Sequence, residues 1–263
     1  MKQKSLLNLL FIICVSFISC SKDDASNDNP EGKQILIKNV SEEIYNNGQV
    51  EKSSTNFIYE NNILKNISKG TYVSELIYNG EKIVRINNYV NNVLSAGYTS
   101  FQYDGDLLKY TLSGEKQDNK TVYSYINSVL TTQKSGLLNG VDLMVSETKN
   151  YSFNTNMNIA ETLSSSNTGG KIYDSKKKSV YDTKNNPMKF MNKYFKIIYK
   201  CEGFDGLSKN NEISFDSFFP ISSTTPAKTR FEIIYNADDF PIEIKKYSVL
   251  NNVLISKTNI EYQ

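Results

Sequence analysis

Leu76-Ile77-Tyr78-Asn79-Gly80-Glu81-Lys82-Ile83-Val84 decides the fold class: an alternating apolar stretch ends in Tyr, meets Asn-Gly, and restarts as an apolar pair. Residues at i and i+2 of a strand share a face. Asn-Gly joins two such runs as a tight hairpin, because both residues accept positive φ. The same figure recurs along the chain. Phe57-Ile58-Tyr59 precedes Glu60-Asn61-Asn62, Phe101-Gln102-Tyr103 precedes Asp104-Gly105, and Ile233-Ile234-Tyr235 precedes Asn236-Ala237-Asp238-Asp239. Tyr123-Ser124-Tyr125 and Tyr151-Ser152-Phe153 fit more loosely, and Ile260-Glu261-Tyr262 ends the chain. After the turns the apolar pattern restarts, at Ile63-Leu64, Leu107-Leu108, Val129-Leu130 and Phe240 with Ile242 and Ile244.

A second kind of turn links these units: Tyr45-Asn46-Asn47-Gly48, Asn91-Asn92 before Val93-Leu94, and Asn251-Asn252 before Val253-Leu254. Residues 33–263 therefore read as one all-β domain with little helix. The expected architecture is an antiparallel meander of successive hairpins, in an open, curled or wound sheet. The middle departs from the pattern. Residues 163–170 (LSSSNTGG) read as a loop, and Lys176-Lys177-Lys178 as a solvated run at a turn or strand edge. Asn185-Asn186-Pro187 breaks the chain, 193–200 reads as one apolar strand, and an irregular insert is expected near 201–225. Phe218-Phe219-Pro220 inside that insert must pack on something or form an exposed apolar patch.

At Tyr103-Asp104-Gly105-Asp106-Leu107, Tyr181-Asp182-Thr183-Lys184-Asn185-Asn186-Pro187 and Tyr235-Asn236-Ala237-Asp238-Asp239-Phe240-Pro241 the chain resembles the YD-repeat, or RHS-like, hairpins of bacterial surface proteins. It is similar above all to Bacteroidota surface lipoproteins that carry degenerate versions of these repeats. The Gly-Arg that often follows Tyr-Asp in such repeats is missing, which takes away the ground for expecting a large shell. The resemblance implies a fold and no activity.

The first residues give an address. Lys2 and Lys4 precede a short apolar core over 6–17 (LLNLLFIICVSF), followed by Ile18-Ser19-Cys20. An apolar run this short, behind basic residues and ahead of a small one, is a secretory signal, since a spanning helix needs about 20 apolar residues. Ile18-Ser19-Cys20 resembles a bacterial lipobox, with Phe17 where Leu is usual. The resemblance implies cleavage after residue 19 and a lipidated Cys20. Two or more acyl chains anchor a protein stably. Ser21-Lys22-Asp23-Asp24 resembles the charged tag that sends Bacteroidota lipoproteins to the outer face of the outer membrane. Residues 20–32 carry almost no apolar side chain and read as a flexible tether.

Composition removes several functions. The chain has 30 Lys and Arg against 28 Asp and Glu, and Lys2 and Lys4 leave with the signal. No net field remains to attract a nucleic acid, and the only arginines are Arg85 and Arg230. There is no His, so Ser-His and Cys-His nucleophile pairs and the usual zinc sites are absent. Cys14 leaves with the signal and Cys20 is lipidated, so Cys201 has no disulfide partner and is expected to be buried and inert. No cofactor or metal site is read. Asp104 with Asp106, and Asp238 with Asp239, lack a full calcium-loop spacing and read as turn residues.

An enzyme of this composition would have to work with carboxylates, Lys, Tyr or Ser, and paired carboxylates do suffice for glycoside hydrolysis. Glu42 with Glu43, Glu232 with Glu243, and Glu147 with Glu161 are the pairs the sequence offers. The recurring Tyr residues read as cross-strand core rather than as a glycan platform. The expectation is a non-enzymatic, membrane-anchored surface lipoprotein on the cell exterior. It would bind or scaffold, with a glycan, a peptide or an outer-membrane protein as partner. A carboxylate-only glycoside hydrolase and a structural surface-coat component are the alternatives.

Overall fold

A computed structural model describes residues 34–263, apart from 47 and 202 and the side chains at 95, 96 and 200. The expected signal peptide (1–19), Cys20, the export tag Ser21, Lys22, Asp23 and Asp24, and the tether (20–32) lie outside the described residues.

The strands are β1 (Ile37–Asn46), β2 (Gln49–Glu60), β3 (Ile63–Lys69), β4 (Tyr72–Asn79), β5 (Lys82–Val90), β6 (Val93–Asp104), β7 (Leu107–Ser113), β8 (Asn119–Ile126), β9 (Val129–Asn139), β10 (Asp142–Phe153), β11 (Ile159–Thr168) and β12 (Lys171–Tyr181). After helix α1 (Lys193–Ile198) follow the two-residue strands β13 (Lys200–Cys201) and β14 (Phe204–Asp205). Then come β15 (Glu212–Phe218), β16 (Ala227–Tyr235), β17 (Pro241–Ser248) and β18 (Leu254–Tyr262). All but β13 and β14 belong to one antiparallel sheet, and it closes into a barrel of sixteen strands. β1 pairs β2 on one side and β18 on the other, from Ile37↔Tyr262 to Ile44↔Ser256. The hairpins are as the sequence indicates, but the open, curled or wound meander is not: the first strand closes on the last.

Bulges account for the curvature. At one end of the barrel every hairpin carries one extra residue on its second strand: Lys65, Val84, Lys109, Thr131, Ala160, Ile213 and Ile242, and Lys38 at the closing β18–β1 pair. A bulge bends its strand and increases its twist. Repeated around the ring, it turns a flat meander into a cylinder. Inward residues then recur at i and i+3 instead of i+2, as in Leu64 with Ile67, Ile83 with Ile86, and Ile37 with Val40. The residue facing each bulge is aromatic: Tyr59, Tyr78, Tyr103, Tyr125, Phe153, Tyr181, Tyr235 and Tyr262.

These rings point into the lumen. The ladder between neighbouring hairpins stops short of this end, at Asn66↔Glu75 and Arg85↔Ser100. Tyrosine hydroxyls reach the carbonyls beyond. Tyr78 donates to Leu64 O (2.7 Å), Tyr103 to Ile83 O (2.6 Å) and Tyr262 to Pro241 O (2.7 Å). A buried unpaired carbonyl is costly, which is why the repeat carries Tyr and not merely an apolar residue.

The middle of the chain differs from its sequence reading. Residues 163–168 are strand, and only Gly169-Gly170 turn. Residues 193–198 are helix rather than strand, because Asn192 caps them by accepting from Tyr194 N and Phe195 N. The irregular insert is 182–211, not 201–225, and 212–218 continues the barrel as β15. This insert folds into the lumen at the bulged end as a plug. Met188, Met191, Tyr194, Phe195 and Phe204 are buried there against Phe57, Leu76, Ile83, Phe101 and Leu108. Tyr194 packs edge-on to Tyr103 at 4.7 Å, and its hydroxyl donates to Asp106 O (3.1 Å). Asn192 Nδ2 donates to Glu81 O (2.8 Å), and Asn158 and Asn210 bond each other at 2.8 and 3.0 Å.

Candidate functional site: a plugged cup with a polar wall

Two faces of the barrel bear on function. The outward face is mostly polar around the ring, with exposed Ile58, Val180, Ile234 and Ile242 towards its bulged end. Glu43 pairs Lys52 (2.8 Å), Glu243 sits between Lys257 (2.8 Å) and Lys245 (2.9 Å), and Arg230 pairs Glu232 (2.5 Å). Glu75 accepts from Asn87 and Tyr89, and Thr132 donates to Asn150 (3.0 Å). Arg85 lies over Tyr98, Lys120 over Tyr110 and Lys176 over Phe218. These contacts lower the outer carboxylates. Lys52 and then Tyr45 hold Glu43 below the usual range, Asn87 and Tyr89 do so for Glu75, Arg230 for Glu232, and Lys257 and Lys245 for Glu243. A lysine or arginine at the midplane of a lipid-facing barrel costs about 2–4 kcal/mol. A wall with such residues on most of its strands is costly to set against lipid.

The inward face changes character along the axis. Sixteen strands enclose a lumen wide enough for water. The plug fills the bulged end, where the described termini also meet through Gln263 N→Leu36 O (2.9 Å). The other mouth has short turns and the 219–226 loop, which is tied to β12 by Ile221 N→Asp174 O (3.0 Å). The lumen is thus a cup. Its wall is rich in hydroxyls and amides, including Ser53, Ser74, Asn88, Thr121, Ser135, Ser164 and Ser175. Ser74 donates to Asn88 (2.8 Å), and Thr121 and Ser135 bond at 3.0 Å.

The floor of the cup holds the buried charges. Glu42 and Glu212 are each 8% exposed, Glu42 with Lys69 at 3.4 Å and Glu212 with Lys177 at 2.7 Å. Cys201 forms no disulfide and is half-buried rather than fully buried, its Sγ donating to Glu42 Oε1 (3.2 Å). A cavity of about 210 Å³ is lined by Lys177, Lys246, Asp205, Glu212, Cys201, Phe215 and Phe231. Burying paired charges gives little stability by itself, which draws attention to the floor as a place for a ligand.

The carboxylate pairs offered by the sequence do not come together across a cleft. Glu42 faces in and Glu43 faces out. Glu232 and Glu243 both lie on the outer wall, held by cations. Glu161 faces out beside Ser152, while Glu147 lies further along β10 with Lys149 at 2.8 Å. Asp106 meets Lys82 at 3.3 Å and Asp239 meets Lys184 at 2.6 Å. Among the described residues no group of three His, Cys, Asp or Glu gathers to hold a metal. The sequence reading missed Lys177. In Lys176-Lys177-Lys178 strand alternation turns the middle lysine inward, over Phe215 at 4.3 Å. Burial pushes the Tyr78 hydroxyl up to about 12 and raises Tyr59, Tyr103, Tyr125, Tyr151, Tyr181, Tyr235 and Tyr262 as well. These tyrosines therefore line the interior, while Tyr45, Tyr89, Tyr98 and Tyr110 sit singly on the outer wall in contacts with Glu43, Glu75, Arg85 and Lys120.

By sequence, no protein-family model and no curated protein matches the chain. By structure it is similar to a porin-like protein from Bacteroides uniformis ATCC 8492, with a TM-score of 0.57 at 8% identity over 86% of this chain and 98% of that one. It is also similar to a porin-like protein from Bacteroides vulgatus ATCC 8482, with a TM-score of 0.60 at 12% identity over 88% of this chain and 99% of that one. At such identity the likeness is one of fold, and the fold it supports is the closed barrel.

Proposed function

We propose that this chain is a lipoprotein of the outer membrane, held by Cys20 and exposed to the cell exterior, whose barrel stands in water and receives a partner in its cup. The observation that carries this reading is the polar wall. Ion pairs and cation–π contacts on most strands interrupt any apolar band for a bilayer, so the barrel does not span one and its anchor is the N-terminal lipid. The plug argues against a through-channel, and the cup and its charged floor argue for binding or scaffolding without catalysis. A glycan or a peptide fits the hydroxyl-rich lining. The two tests are independent. Intact mass of the membrane-bound protein should show acylation at Cys20, and an unmodified mass would refute the anchor. Glycan-array and peptide-array binding should be abolished by Ser164→Arg or Ser175→Arg, which fill the cup from facing positions on β11 and β12. Binding that survives both would refute the cup.

A further inference from the structure

The open mouth is rimmed by exposed apolar side chains. Leu250 is 95% exposed, Val141 93%, Ile172 67% and Phe219 62%, each at or beside the tip of a different hairpin. The four tips are neighbours around the mouth, in the order β17/β18, β15/β16, β11/β12 and β9/β10. Three of them are also tied to one another. Tyr173 stacks on Phe219 at 6.3 Å, and Val249 N donates to Lys228 O (2.9 Å). We propose that this rim, which occupies only the β9–β18 side of the mouth, inserts, one side chain deep, into the surface of a phospholipid bilayer and leaves the β1–β8 side open to the cup.

Three observations select lipid as the occupant. The apolar layer is thin: behind it the outer wall turns charged, with Lys176 over Phe218 and Lys228 facing Asp216. A layer of that depth matches the boundary between headgroups and acyl chains, about 5–10 Å, and not the hydrocarbon centre. The tips are also the wrong composition for a protein contact. Dominant residues at protein interfaces are Trp, Tyr and Arg, with Leu and Val under-represented. The chain has no Trp, and these tips carry Leu, Val, Ile and Phe, with Tyr173 stacked on Phe219 as their one Tyr and no Arg. Finally, the knobs lie on an arc around the mouth. A fluid lipid surface accepts separate knobs, whereas a folded partner must be shaped to them. The tips carry only Asp142 and Lys171 as charges, so insertion does not depend on anionic lipid.

The absence of Trp makes the test direct. Leu250→Trp and Val141→Trp are made singly in the full chain, with Ile58→Trp on the outer wall near the plugged end as a control. Each protein is mixed with phosphatidylcholine vesicles, plain or brominated along the acyl chain. Emission from Trp at 250 and 141 should move to the blue and be quenched by bromine, while Trp at 58 stays water-like, whatever the state of Cys20. Water-like emission at both tips in vesicles overturns the proposal. So does a blue shift that appears without vesicles as protein concentration rises, which assigns the rim to a second copy of the chain.

Discussion

Tyr103 and a phenylalanine fill nearly the same volume and differ by the hydroxyl that reaches Ile83 O at 2.6 Å. Tyr103→Phe removes the donor and leaves a carbonyl unpaired, a loss of about 1–2 kcal/mol. Tyr103→Ala also empties space beside Tyr194 and should cost about 3 kcal/mol or more. Urea unfolding of the two variants gives both numbers. Equal losses would remove the carbonyl from the explanation. The same ring predicts the alkaline limit of stability. The ordinary tyrosine value is 10, and burial raises Tyr78 to about 12 in the folded protein, with its ring-mates raised too. A raised value means stability is complete below 10 and is lost as pH rises through 12. Tyrosinate absorbance should therefore lag for the ring and appear together with loss of the β circular dichroism signal. Ring ionisation near 10 with the fold intact would contradict the burial.

At the scale of elements, the hairpins were legible and their closure was not. Tyr78-Asn79-Gly80 announces a hairpin because turn chemistry and alternation are local. The bulge at Val84 is also written there, as the Ile83-to-Ile86 spacing of inward residues, but it looks like ordinary apolar clustering until the partner strand is known. Closure of β1 on β18 joins the two ends of the described chain, and no local pattern reports it. Helix α1 was misread because Lys193 to Ile198 is short and apolar and its cap is one asparagine. Asn192→Ala should cost about 1 kcal/mol. Phe195→Ala, at a side chain 2% exposed, should cost about 3–5 kcal/mol in the same urea experiment. Deleting Lys65 is a sharper test of the bulge. Leu64 and Ile67 stay on the inner face, now at i and i+2, and Asn66 stays outside, so the deletion removes only the bend and extra twist that the bulge supplies. The variant should melt at a lower temperature than the wild type, and a wild-type melt would show that the bulge is incidental.

At the scale of the whole molecule, the site was less legible than the fold. The sequence supplied acids in pairs, but which of them share a face depends on register. Glu42 belongs to the cup floor through Lys69 and Cys201, partners that lie far from it along the chain. The polar wall was invisible until alternation could be assigned to an inside and an outside. That wall decides how the barrel meets a membrane, and it makes the account testable with one preparation. Sedimentation velocity of the full chain carrying Cys20→Ser, in buffer without detergent, should show one folded species at the mass of a single chain. A barrel that stays folded only in detergent, and precipitates when detergent is removed, would contradict the water-facing wall.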